Sequence, residues 1–176
     1  MRRVLSRRAL ALVISIAMLI ALGATTSIAQ QKMVVSGKMT QTYTKQEKME
    51  VGDVPGHELQ LSEERGTNAS TGEQKFLDGA NLVNIGFSDL VNGNGPHQGY
   101  VTLTKGNDGA IASWKGNITT VMTKEGKPNI TFKGTFTWTK GMGKYAGIQG
   151  TGTYSGYFTS ETDLVADWKG EYIIGK

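Results

Sequence analysis

The sequence predicts an all-β protein, a single small antiparallel and mainly up-and-down β-barrel of about eight strands. Within the segment 130–140, residues 130–139 alternate without exception between apolar or glycine residues and polar residues, as a strand with one buried and one wet face does. A unit of the form apolar-x-Gly-x-apolar recurs, and it is centred on Gly37, Gly116, Gly134, Gly156 and Gly170. No long segment has the 3.6-residue period of a helix, so helix is expected only in short turns.

The repeated glycine favours a closed barrel. Glycine inside a strand costs backbone entropy and offers no side chain to pack, so its repetition needs a physical reason. Each unit places a hydrogen atom between two large side chains on the buried face. The strands of a small barrel coil sharply around a tapering interior, which favours alternating large and small inward side chains. Isolated β-bulges are the alternative explanation of these glycines.

The first 29 residues have the features of a bacterial export signal peptide. A basic start, made by Arg2, Arg3, Arg7 and Arg8, precedes an apolar run over 9–22. This run is shorter than the roughly 20 residues of a membrane-spanning helix, so we expect cleavage before Gln30 rather than a retained anchor. The general secretory and twin-arginine routes both stay open. The protein is expected to be periplasmic or secreted, without membrane attachment after cleavage.

Loss of this segment changes the charge of the protein. The whole chain has 19 Lys+Arg and 15 Asp+Glu. Four arginines and no acidic residue lie before residue 30, so residues 30–176 balance at 15 basic against 15 acidic. A basic surface for nucleic acid is therefore not predicted. The chain has no cysteine, so we expect residues 30–176 to form one barrel domain that an apolar interior stabilises.

The first half of the domain is predicted as strands separated by polar loops. We expect two strands over 33–43 and 46–53, and a third over 57–65 after a Pro-Gly turn. In this third strand the odd-numbered residues, from His57 to Glu63, are interpreted as the apolar face. A polar loop over 66–78 and an edge strand over 81–91 follow.

The second half is predicted to be a meander that ends in a glycine-rich segment. Strands over 98–105, 110–124 and 130–140 are joined by short turns. The run 141–153, GMGKYAGIQGTGT, then resembles the glycine-rich segment before a late strand of allene oxide cyclase-like and dirigent-like barrels. The resemblance covers roughly residues 98–172. It implies an eight-stranded barrel in which a short turn after the glycines helps to close one end.

The resemblance also implies a class of function. Members of this family bind apolar small molecules inside the barrel, and some guide cyclisation or radical coupling. No catalytic motif of this sequence matches the family residue by residue, so no catalytic residue is assigned from it. The polar loop over 66–78 departs from the family pattern, which leaves the strand count and the geometry of the mouth open.

The candidate ligand-binding residues are the aromatic side chains that share faces with the repeated glycines. They are Trp114, Phe132, Phe136, Trp138, Tyr154, Phe158, Trp168 and Tyr172. Most of them are expected in the core. Those nearest the strand ends, such as Trp138 and Trp168, are expected to line a pocket that opens at one mouth of the barrel. His57 or Glu63 would then orient the polar end of an apolar ligand.

Three functions stay open at this point. The first is a binding module for a small apolar ligand, and the second is a cyclase or isomerase that uses His57 and a neighbouring carboxylate as acid and base. The third is a structural or interaction protein with a solid core. No cofactor or metal is expected, because only His57 and His97 are present, cysteine is absent and the glycines do not have nucleotide-binding spacing. The oligomeric state is not predicted.

The signal-peptide assignment predicts the mature N-terminus. Ser27 and Ala29 are the small residues that signal peptidases accept before the cleaved bond. Exported protein should therefore begin at or near Gln30, which intact-mass measurement of the purified protein checks. Recovery of a chain that still begins at Met1, extracted from membranes, would contradict both export by cleavage and the balanced charge.

Overall fold

The computed structural model describes residues 31–175, so the predicted signal peptide lies outside the described residues. Nine strands and one short helical turn succeed one another in this order: β1 (Met33–Glu50), β2 (His57–Ser70), β3 (Ala80–Val91), β4 (Gly95–Lys105), β5 (Asp108–Met122), β6 (Pro128–Met142), a 3₁₀ turn (Gly143–Tyr145), β7 (Ile148–Gln149), β8 (Thr151–Phe158) and β9 (Asp163–Ile174).

Eight of these strands close into an antiparallel barrel. The order around the barrel is β1-β2-β3-β4-β5-β6-β8-β9, and β9 pairs with β1 to complete the ring. The two-residue β7 pairs with the end of β9 as an additional strand. The prediction of an all-β, mainly up-and-down barrel of eight strands is confirmed. No helix within residues 31–175 is long and apolar enough to span a membrane.

Glycines inside the strands make room for aromatic rings. A Cβ atom added at Gly170 would lie 2.8 Å from Cζ of Phe136, and one added at Gly37 would lie 2.6 Å from Nε1 of Trp168. A Cβ atom at Gly134 would lie 2.5 Å from the Tyr154 hydroxyl and would also overlap the backbone of β5. Because real Cβ atoms do not approach neighbours this closely, each of these positions requires glycine.

The loop between β2 and β3 closes one end of the barrel. Phe76 is 1% exposed, and its ring packs against Trp138, Tyr145 and Tyr172 with centroid distances of 4.8 to 5.2 Å. Asn68 holds this loop, because its Nδ2 donates to the carbonyl oxygens of Phe76 and Leu77 at 3.0 Å. The loop is thus an apolar floor of the interior.

Three predicted elements of the first half need correction. The segment 66–78 is not all loop, because β2 continues to Ser70 and the remaining loop supplies buried side chains. The segments 33–43 and 46–53 belong to one long strand, β1, with a shift of register between Tyr43 and Lys45. β3 is not an edge strand, because it pairs with β2 and β4. Closure of the barrel explains this last difference, since a closed barrel has no edge.

The predicted facing of β2 was wrong. Leu61 is 55% exposed, while Ser62 and Glu64 are 8% and 4% exposed. Buried contacts of Asn68 set this phase, because its Oδ1 accepts a hydrogen bond from Trp168 Nε1 at 2.9 Å. A shift by one residue would turn Asn68 to solvent and leave buried polar groups without partners. The even-numbered, polar residues of β2 therefore face the interior.

The packing of glycine against aromatic rings predicts that the two faces of β6 respond differently to the same substitution. Leucine in place of Gly134 should lower the free energy of unfolding by at least about 1–3 kcal/mol, as overpacking of a core does. Leucine in place of Thr135, which is exposed on the outer face, should change it little. Urea unfolding of Gly134→Leu and Thr135→Leu measures both values, and equal losses would contradict the inward position of Gly134.

Candidate ligand-binding cavity

The interior of the barrel contains a cavity above the Phe76 floor. Its volume is about 90 Å³. Trp138 and Trp168 line its closed end, and both are 4% exposed. Ile118 and Phe158 line its opposite end and are only partly buried. Ile118 lies in the last part of β5 and Phe158 is the last residue of β8, so the cavity opens towards the end of the barrel that carries the turns after these strands.

Most of the predicted aromatic residues line this cavity. Seven of the eight do so: Trp114, Phe132, Phe136, Trp138, Tyr154, Phe158 and Trp168. Tyr172 does not, because it packs against Phe76 and Tyr145 on the other side of the floor. Trp138 and Trp168 lie at the closed floor rather than at the mouth. The three tryptophans of the whole chain all contact the cavity, so their emission reports on its contents.

A polar strip interrupts the aromatic lining on one side. It consists of Gln41 from β1, Glu64 from β2 and Asn84 from β3. Glu64 pairs across the strands with Tyr43 on one side and with Asn84 on the other. Burial raises the pKa of the Glu64 carboxyl to about 7, so this group changes its charge near neutral pH.

Two oxygen atoms of this strip have no hydrogen-bond partner within the described part of the chain. They are Gln41 Oε1 and Glu64 Oε2, and both are fully buried. The Nε1 atom of Trp138 is also buried without a partner there. Most buried polar atoms in proteins are paired, and leaving one unpaired costs about 1–3 kcal/mol. Unpaired acceptors inside an aromatic cavity are suited to hydrogen bonding with a guest molecule.

The groups around the strip fix its position. The Trp114 indole Nε1 donates to Asn84 Oδ1 at 2.8 Å. Tyr43 stacks on Phe158 with ring centroids 6.0 Å apart. Burial, with a smaller effect of the nearby Glu64 charge, raises the pKa of Tyr43 to about 12. Tyr43 is therefore a neutral phenol next to Glu64 at any physiological pH.

His97 and Tyr154 form a second polar pair on the opposite wall. Tyr154 Oη and His97 Nε2 are 3.0 Å apart. Burial lowers the pKa of His97 to about 4, and burial raises the pKa of Tyr154 above its ordinary value. The imidazole is therefore neutral at pH 7. The sequence singled out His97 only as one of two histidines, whereas the structure places it in the cavity.

His57 lies outside the cavity and connects the first hairpin to β3. Its Nδ1 is 2.5 Å from Asp53 Oδ1, and its Nε2 is 2.7 Å from Asp89 Oδ1. Both carboxylates favour the imidazolium form and raise the pKa of His57, with the bond to Asp89 contributing most. With both ring nitrogens engaged, His57 is suited to holding the hairpin in place.

Glu63 also lies outside the cavity. Its Oε1 accepts hydrogen bonds from Arg65 Nε at 2.8 Å and from Thr44 Oγ1 at 2.9 Å. The bond from Arg65 is the main cause of its lowered pKa. The carboxyl that reaches the cavity is therefore that of Glu64, the next residue along β2, rather than Glu63 or the imidazole of His57. No group of His, Asp or Glu side chains within residues 31–175 is arranged to hold a metal ion.

Comparison with known proteins gives similarity of fold only. The sequence matches no protein-family model and no curated protein. The barrel resembles a pterocarpan synthase dirigent protein with a TM-score of 0.46 and 11% identity over 87% of this chain and 96% of that one. It resembles the Diels Alderase AbmU from Streptomyces koyangensis with a TM-score of 0.42 and 14% identity over 98% of this chain and 84% of that one. Neither is an allene oxide cyclase, and similarity at this level leaves the family of this chain unassigned.

The burial of Glu64 predicts a pH-dependent effect on stability. A carboxyl whose pKa is higher in the folded state destabilises the fold as pH rises from its ordinary value of 4.5 to about 7. Glu64→Gln removes this effect. The stability of the variant relative to the wild type should therefore increase by up to roughly 3 kcal/mol between about pH 4 and about pH 8.

Urea unfolding of the two proteins across this pH range measures the difference. The imidazole of His97, whose pKa is about 4, also changes its protonation at the acidic end of this range. His97 is present in both proteins, so its effect on stability cancels in the comparison. Glu63→Gln, which changes the neighbouring carboxyl outside the cavity, is the matched control and should not produce this rise. A difference between Glu64→Gln and the wild type that stays constant with pH would show that Glu64 is not buried in the folded protein.

Proposed function

We propose that this protein is an exported binding module that holds a small, largely apolar molecule with one polar group inside its barrel. The apolar part lies among the rings of Trp114, Phe132 and Phe136. The polar group meets Glu64 and Gln41. Export depends on the predicted signal peptide, and binding depends only on the barrel.

This proposal rests on two oxygen atoms, of Gln41 and Glu64, that lie inside the aromatic cavity without hydrogen-bond partners among the described residues. A barrel interior that serves only stability fills its volume and pairs its polar atoms. This interior leaves a cavity of about 90 Å³ and two buried acceptors without partners among the described residues. The two acceptors lie on the same wall of the cavity, which β1 and β2 form. These observations favour a binding interior over the solid-core alternative.

The size of the cavity limits the ligand. Typical small-molecule pockets have volumes of about 300–1,000 Å³, so the enclosed part of the ligand is only a few heavy atoms in size. A longer molecule projects through the mouth beside Ile118 and Phe158. The partial burial of these two side chains allows that arrangement.

Binding is tested by tryptophan emission. Because Trp114, Trp138 and Trp168 all line the cavity, titration with a panel of small apolar alcohols, ketones and aromatic metabolites should quench or shift their emission with saturation. Ala166→Leu, which adds volume at a position that lines the cavity, should weaken binding at least about 10-fold, the equivalent of 1.4 kcal/mol.

Two variants serve as controls for the titration. Ala69→Leu adds the same volume at an exposed position on the outer face of β2, and His57→Gln changes the ionised cluster outside the cavity. Both should bind as the wild type does. No saturable change with any compound, in protein shown to be folded, would contradict a ligand-binding interior, and equal loss in Ala69→Leu would place the site elsewhere.

A cyclase or isomerase activity is a second candidate, and one observation favours it. A buried carboxyl with a pKa of about 7 is suited to give or take a proton at neutral pH. Glu64, rather than His57, would be the acid or base. Incubation of the protein with a bound compound and mass spectrometry of the recovered material distinguish the two functions. An enzyme converts the compound, and Glu64→Gln then binds it without converting it.

A further inference from the structure

The charges of the lining residues restrict which molecules the cavity can bind. Its ionisable lining residues are Tyr43, Glu64, His97 and Tyr154, and no lysine or arginine of the described residues lines it. Tyr43, His97 and Tyr154 are neutral at pH 7. Glu64 is therefore the single source of formal charge in the lining, and that charge is negative.

The unpaired atoms of the polar strip indicate what the guest must supply. Gln41 Oε1 accepts hydrogen bonds, and Glu64 Oε2 does so when the carboxyl is ionised. The two residues lie on the inward faces of the adjacent strands β1 and β2, and their positions are diagonal in the register, since Glu64 pairs with Tyr43. A guest with two or more N–H donors on one atom would satisfy both oxygens.

The charge on Glu64 adds a second requirement. A carboxylate in an apolar interior is stable only when it is paired, because the surrounding protein replaces its hydration poorly. A negatively charged guest would add like charge to this site with no cation present to compensate. A positively charged guest would neutralise Glu64, and the aromatic faces of the lining would attract it further.

We propose that the cavity binds a small hydrophobic amine in its protonated form. The ammonium group donates hydrogen bonds to Glu64 Oε2 and Gln41 Oε1, and the alkyl or aryl part lies among the aromatic rings. This inference rests on the proposed binding function and restricts it to one chemical class. An uncharged molecule or a carboxylic acid of the same shape binds more weakly.

The test compares two matched probes, isoamylamine and isoamyl alcohol. Both carry the same alkyl group and donate hydrogen bonds, but only the amine is charged, and neither absorbs at the wavelengths that excite tryptophan. In titrations of wild-type protein at about pH 8, the amine should bind at least about 10-fold more tightly than the alcohol. In Glu64→Gln, the affinity for the amine should fall at least about 10-fold, and the amine should lose its preference over the alcohol.

A pH series on the wild type keeps the test independent of the variant's folding. Between about pH 5.5 and about pH 8.5 the amine stays protonated while Glu64 ionises, so its affinity should rise by up to about 30-fold. The pKa values of Tyr43, His97 and Tyr154 lie outside this interval, and Glu63 is on the outer face with a lowered pKa. The affinity of the alcohol should not rise.

The outcomes separate this inference from the proposed function. Saturable binding of the alcohol at equal or higher affinity than the amine would overturn the amine inference and leave the binding function in place. A preference for the amine that survives in Glu64→Gln or that does not change with pH would also overturn it. Failure of both probes and of the neutral panel to bind folded protein would overturn the binding function itself.

Discussion

Eight strands close into this narrow barrel because glycine hydrogens lie where aromatic rings of the interior need space. Phe136 occupies the space above Gly170, and Trp168 occupies the space above Gly37. These contacts bring large rings into the interior without forcing the strands apart. They also remove side-chain volume along the walls, and the cavity lies between the rings. Barrel closure and the aromatic lining therefore depend on the same glycines.

The sequence predicted the buried face of some strands and not of others. In β6 (Pro128–Met142) every inward residue is apolar or glycine, so the alternation predicted both the strand and its buried face. In β2 (His57–Ser70) the alternation indicated the opposite face, because Leu59 and Leu61 resemble core residues. The facing of β2 depends instead on hydrogen bonds of Asn68 to the loop residue Phe76 and to Trp168, which lies 100 residues further along the chain. Local periodicity cannot contain that information.

The two walls of the candidate site also differed in how well the sequence predicted them. The aromatic wall was predictable, since its residues share faces with the repeated glycines. The polar wall was not, because Glu64 and Gln41 lie in segments whose composition is typical of solvent-exposed strands. Burial of these groups opposes folding unless they are paired. A glutamate directly after the predicted Glu63 was the sequence signal available.

The Phe76 floor closes one end of the barrel and leaves an aperture at the other. Its walls are continuous hydrogen-bonded strands, so the proposed guest would enter and leave at the end that carries the turns after β5 and β8. The Tyr43 and Phe158 rings stack beside that aperture, and rotation of side chains is much faster than the opening of strands. In the proposed binding function, movement of these two rings would control exchange, and a guest longer than the interior would keep one end in the surrounding solvent. A protein that binds in the proposed way would select molecules by the chemistry of the enclosed end and tolerate wide variation at the other.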